Sequence, residues 1–386
     1  MKLPAGFTAA GVAAGLKPSG KPDLGLLLSD RPASAAGVFT TNRVRAAPVI
    51  ACEQQLARGT ARAIVVNAGN ANACTGARGV EDARAMIAAT ADALGVDLAE
   101  VLVASTGIIG VPMDMDKVRA GIGAAAGSLS PAGAMDLASA ICTTDTTVKT
   151  ARASWNGSSI VGVAKGAGMI APEMATMLAF VATDAAVDPV VLQEVLRAVT
   201  PDSFGSISVD GCMSTNDTVL LLANGASGSD PVTTPDQGFT AALGAVCASL
   251  ARQIVADGEG ATKVVTIEVI GAADRAEARS LAGRVADSVL LRCAIHGADP
   301  NWGRVLAALG TAGVAFDPDV VDVWLGGEKL CDGGAIGPGD REVARAHMQG
   351  AEVDIRVDMH RGSAGARMLT NDLSAEYVRI NSEYTT

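Results

Sequence analysis

Aromatic rings are scarce in this chain: they make up 3% of 386 residues, although 49% are hydrophobic. The core must therefore be built from Ala, Val, Leu and Ile at close spacing, which suits layered sheets and helices. Histidine is almost as rare. His296, His347 and His360 stand far apart with no H-x-x-x-H or H-E-x-x-H pattern, so neither a metal nor a His-based triad is expected. His296, beside Gly297, reads as a structural, hydrogen-bonded residue. Basic excess is missing too. The net charge of -11 argues against a nucleic-acid partner and leaves small molecules or other subunits. The seven cysteines form no C-x-x-C pair and are odd in number, so they read as reduced thiols in a cytoplasmic protein. No uninterrupted run of about 18 apolar residues is found, and Met1 to Lys17 lacks a sustained apolar segment, so no membrane span or secretory leader is expected. Repeats and low-complexity tracts are also missing.

What is present centres on Lys165-Gly-Ala-Gly-Met-Ile-Ala-Pro-Glu-Met-Ala-Thr-Met-Leu-Ala-Phe180, a glycine-rich loop running into an apolar, strand-like segment. Thr176 stands at the junction. A Thr behind a small residue can attack its own upstream carbonyl, and hydrolysis of the ester then leaves Thr as a new N-terminus. Its α-amine can serve as base for its own hydroxyl. Locally, a Thr capping the start of a strand is the simpler reading. Gly166-Ala-Gly-Met-Ile-Ala171 also fits the looser nucleotide-binding form G-x-G-x-x-A. However, Pro172 and a strand follow where a phosphate-binding helix should begin, and no G-x-x-x-x-G-K-[ST] exists.

Along the chain, Asp23–Ser29, Gly37–Thr41 and Pro48–Cys52 read as an opening meander of strands, and Ala63–Val66 as another. The Asn67–Gly76 run is a tight turn or a substrate contact. Helices are expected over Glu81–Leu94, Asp114–Ala126 and Gly133–Cys142. Val101–Gly110 reads as a strand ending in Ser105-Thr-Gly107, which is either an ordinary turn or a pair of donors aimed at an oxyanion. Trp155-Asn-Gly157 marks a hairpin, and Ser206–Val209 with Thr218–Asn224 a second one. Further helices are expected over Pro189–Val199, Gln237–Ala256, Arg275–Cys293 and Arg341–Gln349. Strands are expected over Lys263–Ile270, Val320–Leu325, Glu328–Cys331, Val353–Asp358 and Ala366–Thr370. Glu259, between glycines, either binds an amino group or is a solvated turn carboxylate. Asp299, Asn301 and Arg304 either hold a loop by mutual hydrogen bonds, the simpler reading, or orient a site.

Seven stretches in order, Ser105-Thr-Gly107, Thr143-Thr-Asp145, Lys165-Gly-Ala-Gly-Met-Ile170, Pro172-Glu-Met-Ala-Thr-Met-Leu178, Asp257-Gly-Glu-Gly-Ala-Thr-Lys263, Gly297-Ala-Asp-Pro-Asn-Trp-Gly-Arg304 and Tyr377-Val-Arg-Ile-Asn-Ser-Glu-Tyr-Thr-Thr386, resemble the ornithine acetyltransferase family of arginine biosynthesis. The resemblance covers nearly the whole chain and implies an α/β layered sandwich (α+β) of N-terminal-nucleophile type. It implies self-cleavage between Ala175 and Thr176 into an α chain, 1–175, carrying the oxyanion hole, and a β chain, 176–386, assembled as α2β2 or larger. Thr176 would be the nucleophile, Thr106 and Gly107 the oxyanion pair, and Thr143, Lys165, Thr176, Glu259, Asn381 and Thr386 the substrate shell. The implied substrates are N-acetylornithine and glutamate, without a cofactor or metal; use of acetyl-CoA as a second donor stays open. An amidase or aminopeptidase of the same superfamily and a non-catalytic ligand-binding relative are the competing readings. The glycine-rich segment from Lys165 to Ala175 is expected to be flexible, able to strain one bond and move aside.

Overall fold

The computed structural model describes residues 1–171 and 177–383. One sheet holds β1 (Phe7–Val12), β2 (Leu24–Phe39), β3 (Thr60–Asn70), β4 (Val101–Ile108), β5 (Lys149–Trp155), β6 (Ser158–Lys165), β7 (Leu178–Thr183) and β8 (Thr218–Ala223). Their order is β4-β3-β2-β8-β7-β6-β5, with β1 also paired to β2. Between them run α1 (Ala47–Leu56), α2 (Gly76–Leu94), α3 (Met115–Ala126), α4 (Ala134–Ile141), α5 (Pro189–Val199) and α6 (Gln237–Ala256). Alternate side chains feed two cores. Phe180 of β7 and Leu220 and Leu222 of β8 join the core of α1 to α4, whereas Val181, Val219 and Leu221 join that of α5 and α6. Strands buried on both faces read as continuous apolar runs, which is why β7 and β8 stand out in the sequence.

The bend in β2 positions the site. Leu24, at its start, lies opposite Asn67 of β3, and Phe39, at its end, opposite Thr218 of β8. On a straight strand those ends would be about 50 Å apart. Yet Asn216, two residues before β8, donates through Nδ2 to the carbonyls of Ala71 (2.7 Å) and Ser105 (2.9 Å). The β2/β3 register breaks between Leu28 and Ala33, and there the sheet folds over. The ends of β3, β4 and β6 thereby meet the starts of β7 and β8.

A second sheet, ordered β12-β11-β10-β13-β9-β14, comprises β9 (Val264–Ala272), β10 (Asp322–Leu325), β11 (Glu328–Asp332), β12 (Ala335–Ile336), β13 (Glu352–Asp358) and β14 (Ala364–Asn371). One face packs on α7 (Arg275–Ala286), α8 (Val289–His296), α9 (Trp302–Leu309) and α10 (Arg341–Met348). The chain's last described helix is α11 (Ala375–Glu383). The 20-residue α6 is long and apolar enough to cross a membrane, but its Phe239, Leu243, Val246, Leu250 and Ile254 are buried in the core beneath the first sheet.

Four expectations need correction. Pro48–Cys52 is helical, not a strand, because Pro48 sits in the first turn of α1, where its missing N–H costs nothing. Asp23–Ser29 and Gly37–Thr41 are not separate strands: β2 runs from Leu24 to Phe39. No hairpin joins Ser206–Val209 to β8, since both edges of β8 are taken by β2 and β7. The single helix over Arg275–Cys293 is two, broken at Asp287 and at Ser288, whose side chain caps α8 by accepting from Leu291 N–H. The proposed 1–175 and 176–386 segments do not follow the boundary between sheets, because β7 and β8 complete the first sheet.

Candidate active site

Thr106 and Gly107 lie near the end of β4, Lys165 ends β6, Thr143 lies between α4 and β5, Glu259 in the turn after α6, and Asn381 on α11. All six line one cleft, with Ala71, Ile109, Thr144, Gly168, Met169 and Ser214 to Asn216. Ala175, Thr176 and Thr386 lie outside the described residues. Met177, the covalent neighbour of Thr176, donates its N–H to Oδ1 of Asp217 at 3.1 Å. The start of β7 is tied to the cleft on both sides, since Leu178 pairs with Lys165 of β6 and with Thr218 of β8.

Lys165 Nζ, almost fully buried, donates to Thr106 Oγ1 at 3.4 Å. The hydroxyl that accepts from an ammonium keeps its own proton free to donate elsewhere, as an oxyanion donor must. Gly107 has φ 133, and a Cβ there would come within 2.4 Å of the Gly69 carbonyl carbon on β3. The backbone at this position therefore admits only glycine.

Behind the cleft lies a buried charge cluster. Lys149 and Asp145 have fully buried side chains, and Lys149 Nζ donates to Asp145 Oδ1 (2.7 Å), Asp257 Oδ2 (2.5 Å) and the Thr147 carbonyl (3.2 Å). All three ammonium donors are thus used. Asp145 in turn accepts from the N–H groups of Gly166 (2.7 Å) and Thr143 (2.8 Å), so it fixes the approach of two cleft segments. Burial alone would raise its carboxyl, but the Lys165 and Lys149 charges and the Gly166 N–H outweigh this and hold it at about 2.

The glycine-rich segment, expected to be flexible, is held by hydrogen bonds as far as Ile170. Asp210 accepts from Met169 N–H (2.6 Å) and Ile170 N–H (2.8 Å), and the Ala167 carbonyl accepts from Glu259 N–H (2.8 Å). Met169 is held at φ 57, a left-handed conformation unusual for a non-glycine residue. The glycine at 168 serves close approach, because a Cβ there would stand 2.6 Å from the Glu259 carboxyl carbon. Glu259 is therefore not a freely solvated turn residue; its Oε2 accepts from Asn381 Nδ2 at 2.8 Å. Gly168→Ala is expected to displace this carboxylate, which ends a flexible side chain. It should raise KM for an amine-bearing substrate on the order of tenfold, the scale of one lost charged hydrogen bond. Steady-state kinetics beside a thermal melt checks this, with the melting midpoint unchanged.

Other sequence candidates are structural. Asn67, Asn70 and Asn72 use their amides on the carbonyls of Asn70, Val111 and Gly79. His296 Nδ1 pairs with Asp372 Oδ2 at 2.7 Å, and Asn301 bridges Asp299 and the Arg304 N–H. None of these lines the cleft. Sequence reasoning missed Asp145 and Lys149 as a buried pair, and it left Ser214 to Asn216 within the connection of the expected hairpin between Ser206–Val209 and Thr218–Asn224. The available signal was four consecutive polar residues, Ser214 to Asp217, placed directly before an apolar strand.

Comparison with known proteins places the chain in a family. The model of the ArgJ family matches residues 8–386. The arginine biosynthesis bifunctional protein ArgJ of Streptomyces coelicolor is 49% identical over 381 residues, 98% of each chain. That of Thermus thermophilus is 47% identical over 387 residues, covering all of both chains. A solved structure of the Bacillus halodurans protein of the same name is 37% identical with a TM-score of 0.51, matching 96% of its own chain and 52% of this one. The chain belongs to the ArgJ family.

Proposed function

We propose that this protein moves an acetyl group from N2-acetyl-L-ornithine to L-glutamate, through an ester on Thr176, in arginine biosynthesis. The observation that carries the reading is one cleft holding an oxyanion candidate (Thr106, Gly107), an ammonium (Lys165) and a carboxylate (Glu259) beside the strand that Thr176 precedes. Such a cleft suits a substrate bearing both an amine and a carboxylate. The α-amine of Thr176 takes the hydroxyl proton while the oxygen attacks the acetyl carbonyl, and Thr106 and Gly107 stabilise the tetrahedral oxyanion. The C–N bond then breaks, the proton passes to the departing ornithine nitrogen, and the acetyl ester remains. The glutamate amine attacks that ester and restores the Thr hydroxyl. Acetyl-CoA can load the same ester with its thiol as leaving group, so release of free CoA tests a second donor.

Cleavage between Ala175 and Thr176 would leave one αβ unit, because β7 and β8 stay paired to β6 and β2. The solved relative, whose chain spans about half of this one, supports two chains. Such units would assemble as α2β2 or larger, as the family resemblance implies. All seven cysteines are free thiols, which supports the cytoplasm as the site of action.

Initial rates with both substrates should give parallel, ping-pong plots, with N-acetylglutamate rather than acetate as product. Intersecting plots would remove the ester, and acetate would make the protein an amidase. Thr106→Ala should cost about 10²- to 10³-fold in kcat, the scale of one oxyanion donor, with KM little changed.

A further inference from the structure

Asp217, directly before β8, is fully buried. Its Oδ1 accepts the Met177 N–H at 3.1 Å. The two backbones are also clamped together, with Thr218 N–H on the Met177 carbonyl (3.1 Å) and Thr40 N–H on the Asp217 carbonyl (2.9 Å). Its Oδ2 has no hydrogen-bond partner among the described residues. A buried carboxyl oxygen left without a donor is costly and calls for an explanation. Covalent geometry supplies one: a nitrogen one residue before Met177 cannot be more than roughly 7 Å from Oδ1.

We propose that Asp217 is the counter-ion of the α-ammonium group that cleavage creates on Thr176, and hence the positioning residue for the base of the nucleophile. The proposal rests on the reading of Thr176 given above. In cleavage, the Thr176 oxygen attacks the Ala175 carbonyl, the C–N bond breaks and the hydroxyl proton passes to nitrogen. Water then hydrolyses the ester, giving a carboxylate on Ala175 and restoring the hydroxyl. The new amine takes up a proton at neutral pH, and a neutral amide has become a cation within reach of the carboxyl whose Oδ2 has no donor among the described residues.

The groups acting on Asp217 from neighbouring elements are the Met177 N–H before β7, the Thr40 hydroxyl after β2, the Lys165 ammonium at the end of β6 and the Ser214 hydroxyl. Burial raises the Asp217 carboxyl well above the ordinary range, and these groups only partly oppose it. An α-ammonium would add a second cation. Pairing lowers the pKa of the carboxyl and raises that of the amine.

Asp217→Asn separates this role from simple packing, since its Oδ1 still accepts from Met177 N–H while the charge is gone. After denaturing mass spectrometry shows two fragments, the acid limb of kcat/KM against pH should move down by about one unit. At the optimum kcat should fall about tenfold, with KM changed less than threefold. An unmoved limb overturns the proposal. So does an uncleaved variant, because the pairing arises only after the bond is broken. A second measurement needs no change at 217: carboxyl NMR of aspartate-labelled protein should show Asp217 titrating at least one pH unit lower in cleaved wild type than in intact Thr176→Ala, and equal titration overturns the proposal. If wild type itself is a single intact chain, the reading of Thr176 fails instead.

Discussion

Thr176→Ala is expected to give one 386-residue polypeptide in denaturing mass spectrometry, where wild type gives two fragments beginning at Met1 and Thr176, and to lose acetyl transfer by about 10⁴-fold or more. Removing a nucleophile removes the covalent route itself, and the residual rate reflects only what the oxyanion hole and substrate binding supply. The loss should be in kcat, because the cleft formed by Lys165, Glu259 and Asn381 remains. Under native conditions the cleaved wild type should still behave as one species. The β6/β7 and β2/β8 ladders each pair six residues across the 175/176 cut, so the fragments part only when the sheet unfolds. An intact and fully active wild type would refute the nucleophile assignment.

The second large effect is expected at Lys149, far less conspicuous in sequence. Lys149→Met keeps much of the side-chain volume but leaves Asp145 and Asp257 as buried carboxylates without their shared cation. Breaking a buried pair on one side typically costs about 3–5 kcal/mol. For a chain of 386 residues that corresponds to a fall of about 4–6 °C in the unfolding midpoint, and activity should drop with it, because Asp145 holds the N–H groups of Thr143 and Gly166. The sign of the pH dependence follows from the depressed Asp145 carboxyl. Its contribution is fully present above the ordinary aspartate pKa of about 3.9 and is lost as pH falls toward about 2. The gap between wild type and Lys149→Met should therefore narrow over that window. A variant that melts within 2 °C of wild type, a tolerance on the order of 1 kcal/mol, would show the cluster to be dispensable.

Local signals carried far in this chain. The Asn156-Gly157 hairpin forms as expected, with both residues at positive φ (45 and 78), because few other residues tolerate that conformation. The apolar runs of β7 and β8 and the helices from α2 to α6 also agree with their patterns. Failures occurred where a local pattern has two solutions. Pro48–Cys52 is apolar enough for a strand, but Pro48 begins a helix equally well. The stretch before β8 carries turn residues, and only the pairing of β8 on both edges excludes a hairpin there.

By its residues alone the chain specified its family, its element pattern over most of its length and the six described cleft residues, because those motifs are contiguous and chemically distinctive. What tertiary structure alone decided was their meeting and their support. The fold-over at residues 29–32 of β2 brings Thr106, Lys165, Glu259 and Asn381 together across more than 270 positions of sequence. The packing of α6 on β5 gathers Asp145, Lys149 and Asp257 into one buried cluster, and the pairing of β7 with β8 sets Asp217 beside Met177. The physical reason is burial: a lysine or aspartate in sequence reads as a surface charge, and only the packed structure removes the water that would otherwise screen it.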